Sequence, residues 1–398
     1  MQRKQLAIGY AGYALVGVGA SLVPALMPSI AGEFAALGLT AMGLLTPASS
    51  AGRIIGTLLA GVGSDALGRQ RLVWLSALLL SVAMALAAGA HLWAVFLLGY
   101  VVIGLVQGAL STSINAMISD AAQEARARAL NLLHGVYGAG AAVSPLLIGA
   151  LVTAGLPWRT LLAGTGALWL AYGLVCALAD RRHGNDALAS VAPERESKPP
   201  RQAASNLAVV RQGPVLALLA IAFIYNGVAT SMLTWVAIFT QDSAGLSTFG
   251  AVSLVAVFYV ALTVGRFVCA ALAERLGYGR LLLVLGAALL VTYPPVVLGR
   301  HALAVILGVF GTGLALSGLF PTALAEGARR FPVQTGAVTS ALTVSLTLGS
   351  LVPPLWTGAL ADVTSLQVAL GVNYVLALAL VPLARYLRRS EAQPAPGA

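Results

Sequence analysis

The chain has 398 residues, of which 59% are hydrophobic and 9% are charged, and its mean hydropathy is +0.90. Soluble globular domains of this length do not have that balance, so the composition excludes a soluble enzyme or binding module and indicates a polytopic membrane protein. The net charge of +10 would suit a nucleic-acid partner, but the placement of the charges along the chain argues against one.

Twelve apolar runs are each long enough to cross a bilayer as a helix, which takes roughly 20 residues. A polar stretch at 180–212 separates them into two sets of six. We therefore predict an all-α membrane protein with one six-helix bundle at 1–179, a cytoplasmic linker at 180–212, a second six-helix bundle at 213–390 and a disordered tail at 391–398. The predicted spans are 7–30, 41–63, 71–90, 93–119, 130–153, 160–179, 213–240, 248–273, 280–299, 301–326, 333–360 and 366–387.

The basic residues are distributed very unevenly between the two ends of these spans. Nineteen of the 23 Lys and Arg residues lie in the terminal segments or in connections on the side of the N-terminus. Only Arg159 and Arg300 lie in connections on the opposite side, and Arg53 and Arg266 lie within spans. Because cytoplasmic loops carry the excess of basic residues, we expect a multi-pass protein of the inner (cytoplasmic) membrane with both termini in the cytoplasm.

Short phrases recur in the two halves in the same order. Gly-Arg-x5-Leu-Ala occurs at 52–60 and again at 265–273, an offset of 213. Leu-Gly-x4-Gly-Leu occurs at 98–105 and again at 307–314, an offset of 209, which we attribute to a connection four residues shorter in the second half. The repetition predicts two bundles related by a pseudo-two-fold axis, a plan that places a substrate site near the bilayer midplane between the halves.

The connection between the second and third spans carries a recognisable motif. Gly61, Asp65, Gly68, Arg69 and Arg71 match the pattern G-x3-D-x2-G-R-x-[KR]-[RK]. This resembles the cytoplasmic loop signature of the major facilitator superfamily.

The resemblance implies the twelve-helix fold of that superfamily and transport by alternating access. It also implies that the motif residues act in gating, together with Glu274 and Arg275 in a shortened copy of the loop. Asp65 would latch the cytoplasmic side closed by contacting basic side chains and the positive end of a helix from the other half. The alternative is a tight turn whose arginines only set the orientation of the protein.

Two segments of the first half are similar to the fucose/glucose-type symporter group, namely 108–115 and 131–141. That group uses acidic residues in its first and fourth spans to move protons, and here the matching stretches have Ser21 and Ser111. His134 is the candidate for proton coupling, because its ordinary pKa near 6.5 would suit that role. A structural hydrogen bond is the alternative.

Arg53 and Arg266 are the only formal charges deep in the spans. The Gly-Arg phrase of the eighth span resembles that of the oxalate and monocarboxylate carriers, which implies that Arg266 contacts a substrate carboxylate. The alternative is that each arginine binds helix carbonyls or extends toward the cytoplasm. The further candidates for substrate binding are Gln107, Ser111, Asn115, Asn226, Trp235 and Tyr259.

These observations predict a secondary active or facilitative transporter for a small hydrophilic organic solute, either sugar-like or a carboxylated metabolite. The alternatives are a multidrug or organic-compound exporter of the same fold and, from another class, a non-transporting membrane receptor or enzyme. We expect no catalytic residues, no cofactor and no metal site. The expected partners are a small-molecule substrate, the lipid bilayer and a proton or other ion, with no nucleic acid, and the protein is expected to be a monomer.

Overall fold

The computed structural model describes residues 2–122, 125–181 and 208–391, without the side chains at 2, 62, 65, 127, 181 and 391. In these ranges the chain forms helices joined by short connections and contains no β-strand. Most of the predicted linker at 180–212 and nearly all of the tail at 391–398 lie outside the described residues.

The helices of the first half follow the apolar runs closely. They are α1 (Gln2–Glu33), the short α2 (Gly38–Gly43), α3 (Leu45–Leu67), α4 (Arg69–Gly89), α5 (Trp93–Ala122), α6 (Arg126–Thr153) and α7 (Trp158–Arg181).

The helices of the second half include three spans that are each divided into two consecutive helices. They are α8 (Gly213–Ala244), α9 (Thr248–Leu276), α10 (Tyr278–Thr292), α11 (Pro294–Leu298), α12 (Ala302–Ser317), α13 (Leu319–Arg330), α14 (Thr335–Val363), α15 (Leu366–Leu378) and α16 (Leu380–Glu391).

Among the described residues, eleven of the twelve predicted spans coincide with helical segments long and apolar enough to cross a membrane. The remaining span, 41–63, coincides with α3, which is long enough at 23 residues. Its hydropathy is lower because α3 contains Arg53 together with several Ser, Thr, Pro and Gly residues. The prediction of an all-α fold built from membrane-spanning helices is therefore confirmed.

Contacts group the chain into two units. Unit 1 comprises Met1–Glu194 with Thr248–Ala256, and unit 2 comprises Arg195–Ser247 with Val257–Ala398. The beginning of α9 therefore belongs with unit 1, although the rest of that helix belongs with unit 2.

Glycines bring helices α3 and α5 of unit 1 into backbone contact. A Cβ atom at Gly52 would collide with the carbonyl of Val101, and a Cβ at Gly56 would collide with that of Leu105. From the other side, Gly104 faces the carbonyl of Ser49 in the same way. In lipid, where apolar surface gives little drive for helix association, such close approach is a main source of packing energy.

The equivalent helices of unit 2 show the true register of the repeat. Gly313 lies against the carbonyl of Phe258, just as Gly104 lies against that of Ser49, and both members of the pair are shifted by 209. Gly265 lies against Leu314, the position 209 residues after Leu105, so its counterpart is Gly56.

The offset of 213 for the Gly-Arg phrase was therefore wrong as a structural equivalence. At an offset of 209, Arg266 corresponds to Thr57, and Arg53 corresponds to Leu262. The extra four residues do not reflect a shorter connection, because α3 ends at Leu67 and α9 ends at Leu276, again 209 apart. The two phrases instead lie about one helical turn apart along equivalent helices.

Candidate functional site

Helix α5 carries three of the predicted site residues on a single face. Gln107, Ser111 and Asn115 are spaced four residues apart, which aligns them along one side of a helix over about 12 Å. Gln107 is buried, and the other two are half-buried. The Ser111 hydroxyl is buried without a hydrogen-bond partner among the described residues.

Arg53 from α3 binds at one end of this polar face. Its Nη2 atom donates a hydrogen bond of 3.0 Å to Oε1 of Gln107. Gly19 of α1 leaves room for the amide, since a Cβ atom there would lie 2.9 Å from Nε2 of Gln107. The half-buried guanidinium is thus anchored by a neutral amide, and within the described part of the chain it forms no ion pair that would cancel its charge.

Tyr13 from α1 binds at the other end of the face. Asn115 donates through Nδ2 to the Tyr13 hydroxyl at 2.8 Å and to the backbone oxygen of Ser111 at 2.8 Å. The Tyr13 ring makes an edge contact with His134, with 5.5 Å between ring centroids, and a tilted contact with Tyr137 at 5.8 Å. Tyr13 was missed by sequence reasoning because nothing local to α1 indicates that it faces α5.

His134 is exposed in α6, and its ring contacts that of Tyr13. Ser21, which stands where the fucose-type group has an acid, is fully buried. Its hydroxyl lies 2.5 Å from that of Ser144 and joins α1 to α6.

In unit 2, the side chains of Arg266 and Asn226 differ in whether their hydrogen-bond donors have partners. Arg266 is half-buried, and its Nε atom is buried without a hydrogen-bond partner among the described residues. Asn226 is half-buried and donates through Nδ2 to the carbonyl of Leu346 at 2.7 Å. Arg266 therefore keeps an unused donor, whereas the Asn226 amide already links α8 to α14.

Trp235 and Tyr259 lie in the packed core of unit 2. Trp235 is fully buried, and its indole N–H donates to the carbonyl of Pro354 at 3.3 Å. Tyr259 is 8% exposed. We therefore assign Trp235 to helix packing and leave it out of the functional site proposed below.

A buried polar network was also missed in unit 2. Asn373 is fully buried and donates to the hydroxyls of Ser231 at 2.9 Å and Thr357 at 3.0 Å. Its Oδ1 atom accepts from the indole of Trp356 at 2.9 Å. Because each of these amide contacts is made within the protein, the network joins α8, α14 and α15 and offers no free group to a ligand.

The loop motif of unit 1 forms a charged network at the ends of the helices. Gly68 has φ 79° at the start of α4, a conformation that favours glycine. Arg69 forms an ion pair with Asp120 and donates to the carbonyl of Ala116 at 3.1 Å. Arg71 lies 3.8 Å from the carboxylate of Asp180.

The side chain of Asp65 lies outside the described residues, so its latch role stays a prediction. Gly61 is half-buried near the end of α3. In unit 2, Glu274 lines a cavity at the end of α9, and Arg275 is exposed beside it.

A profile of the family described as the Major Facilitator Superfamily matches residues 9–324, which is most of the chain. The chain belongs to the Major Facilitator Superfamily. The members of this superfamily are transporters, so the chain is a membrane transporter with the superfamily fold and not an enzyme.

Solved structures of other superfamily members share the fold at low sequence identity. A bacterial homologue of the human lysosomal transporter Spinster is 17% identical, with a TM-score of 0.74 over 98% of this chain and 95% of that one. A mutant of the nucleoside transporter NupG is 12% identical, with a TM-score of 0.78 over 98% and 99%. A mutant of the E. coli fucose:proton symporter FucP is 17% identical, with a TM-score of 0.62 over 96% and 98%.

A comparison of this chain with curated proteins finds no match.

Proposed function

We propose that this transporter moves a small hydrophilic organic solute, sugar-like or carboxylated, and binds it at the polar face of α5. The observation that carries the proposal is the set of polar groups on three helices of unit 1, in which Asn115 can accept through its oxygen while its two N–H groups bind Tyr13 and Ser111. Arg53, Gln107 and Asn115 supply a guanidinium and two amides, and Tyr13 supplies a hydroxyl. Polar groups of this kind are costly within apolar spans, so their presence there indicates a function.

The chemistry of these groups matches hydroxyl and carboxylate oxygens. A guanidinium offers five N–H donors in a planar fork, and Arg53 uses one of them on Gln107 in the described structure. The solved neighbours include transporters of fucose and of nucleosides, both of which contain a sugar. That supports the sugar-like alternative, whereas the guanidinium supports a carboxylate.

Within unit 2, Arg266 is the candidate for contact with the solute, because its Nε donor is buried and unpaired in the described structure. We place the termini in the cytoplasm on the strength of the basic-residue asymmetry. We propose the loop residues Gly61, Asp65, Gly68, Arg69, Arg71, Glu274 and Arg275 as the gate.

The test begins with a thermal-shift screen of the purified protein against sugars, carboxylates and lipophilic cations, since a ligand stabilises the state that binds it. Uptake of the best solute is then measured in liposomes. We expect Arg53→Gln to lower kcat/KM about tenfold or more, the effect of losing a hydrogen bond from a charged group. Arg128→Gln is the matched control, because Arg128 is exposed at the start of α6.

The solute's own chemistry separates the two substrate classes. If the solute is a carboxylate, the wild type should transport its uncharged amide analogue poorly. The rate of uptake of that analogue should change little when Arg53 is replaced by Gln. Equal uptake by wild type, Arg53→Gln and Arg128→Gln would contradict the assignment of Arg53. Stabilisation by lipophilic cations alone would instead favour the exporter alternative.

A further inference from the structure

Unit 2 contains a cavity of about 740 Å³ at the arginine-rich end of its helices. It lies where α9 ends and α10 begins, beside the ends of α13 and α16. Its charged lining residues are Arg280, Arg329, Arg388 and Glu274. The cavity is thus lined by three arginines, which come from the three helices α10, α13 and α16.

The same place in unit 1 has a different charge arrangement. Gly68 and Gly277 begin α4 and α10 with nearly the same backbone angles, φ 79° and ψ 149° against φ 75° and ψ 157°. They are 209 residues apart, so Arg71 of unit 1 corresponds to Arg280 of unit 2. In unit 1 this arginine faces the carboxylate of Asp180.

The counterpart of Asp180 in unit 2 is an arginine. The buried residues Leu162, Trp169 and Cys176 of α7 have buried counterparts 208 residues later, in α15 and α16. That register places Arg388 at the position of Asp180. Those buried counterparts are Leu370, Ala377 and Ala384.

The counterpart of the second acid, Asp120, is also an arginine. The fully buried Leu110 and Ile114 of α5 match the fully buried Leu319 and Ala323 of α13 at an offset of 209. The same offset places Arg329 where unit 1 has Asp120, the partner of Arg69. Both positions that carry an acid in unit 1 therefore carry an arginine in unit 2, where Tyr278 stands at the position of Arg69 and Arg280 at that of Arg71.

Carboxylates of unit 2 offset only part of this charge. The fully buried Glu326 accepts from Arg329 at 2.9 Å and also pairs with Arg330. In the described ranges, neither Arg280 nor Arg388 has a carboxylate within 4 Å. The first turn of α10 also lines the cavity, and its N-cap Gly277 provides no side-chain cap.

We propose that this cavity binds a phosphate-bearing anion, held by Arg280, Arg329 and Arg388 in place of the two missing carboxylates. Guanidinium forks match phosphate oxygens, and the uncapped N–H groups at the start of α10 favour an anion as well. The phosphate belongs either to an anionic lipid headgroup or to a soluble phosphate compound. The site shares Glu274 with the proposed gate but has no residue of the polar face of α5, so it does not depend on the proposal for the substrate.

The test compares two substitutions that change the charge equally on the same helix. Arg388→Asp restores the acid found in unit 1, whereas Arg389→Asp alters an exposed neighbour outside the cavity lining. The thermal stability of each purified full-length protein is measured in mixed micelles of detergent and phosphatidylcholine that contain increasing amounts of phosphatidylglycerol. A second series uses inorganic phosphate, with chloride at equal ionic strength as the reference.

We expect the anion to stabilise the wild type and the Arg389→Asp variant. Its apparent affinity for the Arg388→Asp variant should be lower by a factor of about ten or more. Stabilisation by the lipid alone identifies a headgroup site, and stabilisation by both identifies a site for soluble phosphate as well. If Arg388→Asp does not fold, Arg280→Gln is compared with Arg385→Gln, which is exposed on α16 outside the lining. The absence of any anion response in the wild type, or an equal response in each cavity variant and its control, overturns the proposal.

Discussion

Arg159 shows how a single side chain can hold three helices of unit 1 together. Its guanidinium donates to Glu33 at the end of α1 at 2.5 Å and to the carbonyls of Ala88 and Ala90 at 2.7 and 2.8 Å. Glu33 also accepts from the indole of Trp158 at 2.7 Å. The last carbonyls of α4 are thereby satisfied by a cation, which a helix C-terminus favours.

We expect Glu33→Gln to lower the free energy of unfolding by about 1 kcal/mol, because the pair is partly exposed and Arg159 keeps its two carbonyl contacts. The measurement is the midpoint of thermal unfolding of the purified protein. Asp242→Asn serves as the control for loss of one acidic charge, since Asp242 is exposed and forms no ion pair within the described ranges. Equal midpoints for the two variants would remove the structural role assigned to Glu33.

Pairs of helices are held by glycines at positions where no side chain fits. Gly56 and Gly104 lie against backbone carbonyls across the α3–α5 contact, and Gly17 and Gly140 do the same between α1 and α6. The α3–α5 contact also positions the site, because Arg53 and Gln107 lie on these two helices within the same interface.

We expect Gly56→Ala to destabilise the protein by roughly 1–3 kcal/mol, the usual cost of overpacking a close contact. Gly164→Ala in α7 is the matched control, since a Cβ atom there meets nothing within 4 Å and alanine is the better helix former. The midpoint of thermal unfolding should fall for the first variant and stay level or rise for the second. A result in the opposite order would show that α3 and α5 do not pack as closely as described.

At the scale of the whole molecule, the basic residues cluster at one end of the predicted spans. We expect this asymmetry to set the orientation in which the chain inserts in the membrane. It does not imply that the two halves have the same arrangement of acidic and basic side chains at that end. Unit 1 balances its loop arginines with Asp120 and Asp180, whereas unit 2 has Arg329 and Arg388 at those positions.

We expect alkaline phosphatase fused after Ala398 to be inactive and green fluorescent protein at the same place to be fluorescent, because the C-terminus should face the cytoplasm. Phosphatase fused after Gly155, in the connection that precedes Arg159, should be active in the same cells. The reverse pattern of the two phosphatase fusions would show that the orientation drawn from the charges is inverted.

Much of the fold could be predicted because hydropathy is a local property. In the bilayer each backbone polar group must be satisfied within the protein, and a helix does this inside one segment, so a run of about 20 apolar residues predicts a spanning helix. The positions of the helices followed from the sequence in this way, whereas the loop motif at Gly68 and Arg69 was found by its resemblance to the superfamily signature. Even α3 was predicted, although Arg53 and its small polar neighbours lower its hydropathy.

The sequence by itself determined the membrane class, the span positions, the superfamily and the presence of a duplication. Only the tertiary structure decided the register of that duplication and the partners of the polar residues. It placed Tyr13 on Asn115, buried Trp235 against Pro354 and moved Arg266 one turn from the counterpart of Arg53. The physical reason is that the rotation and axial position of each helix are set by glycine contacts with helices distant in the chain, which no local pattern encodes.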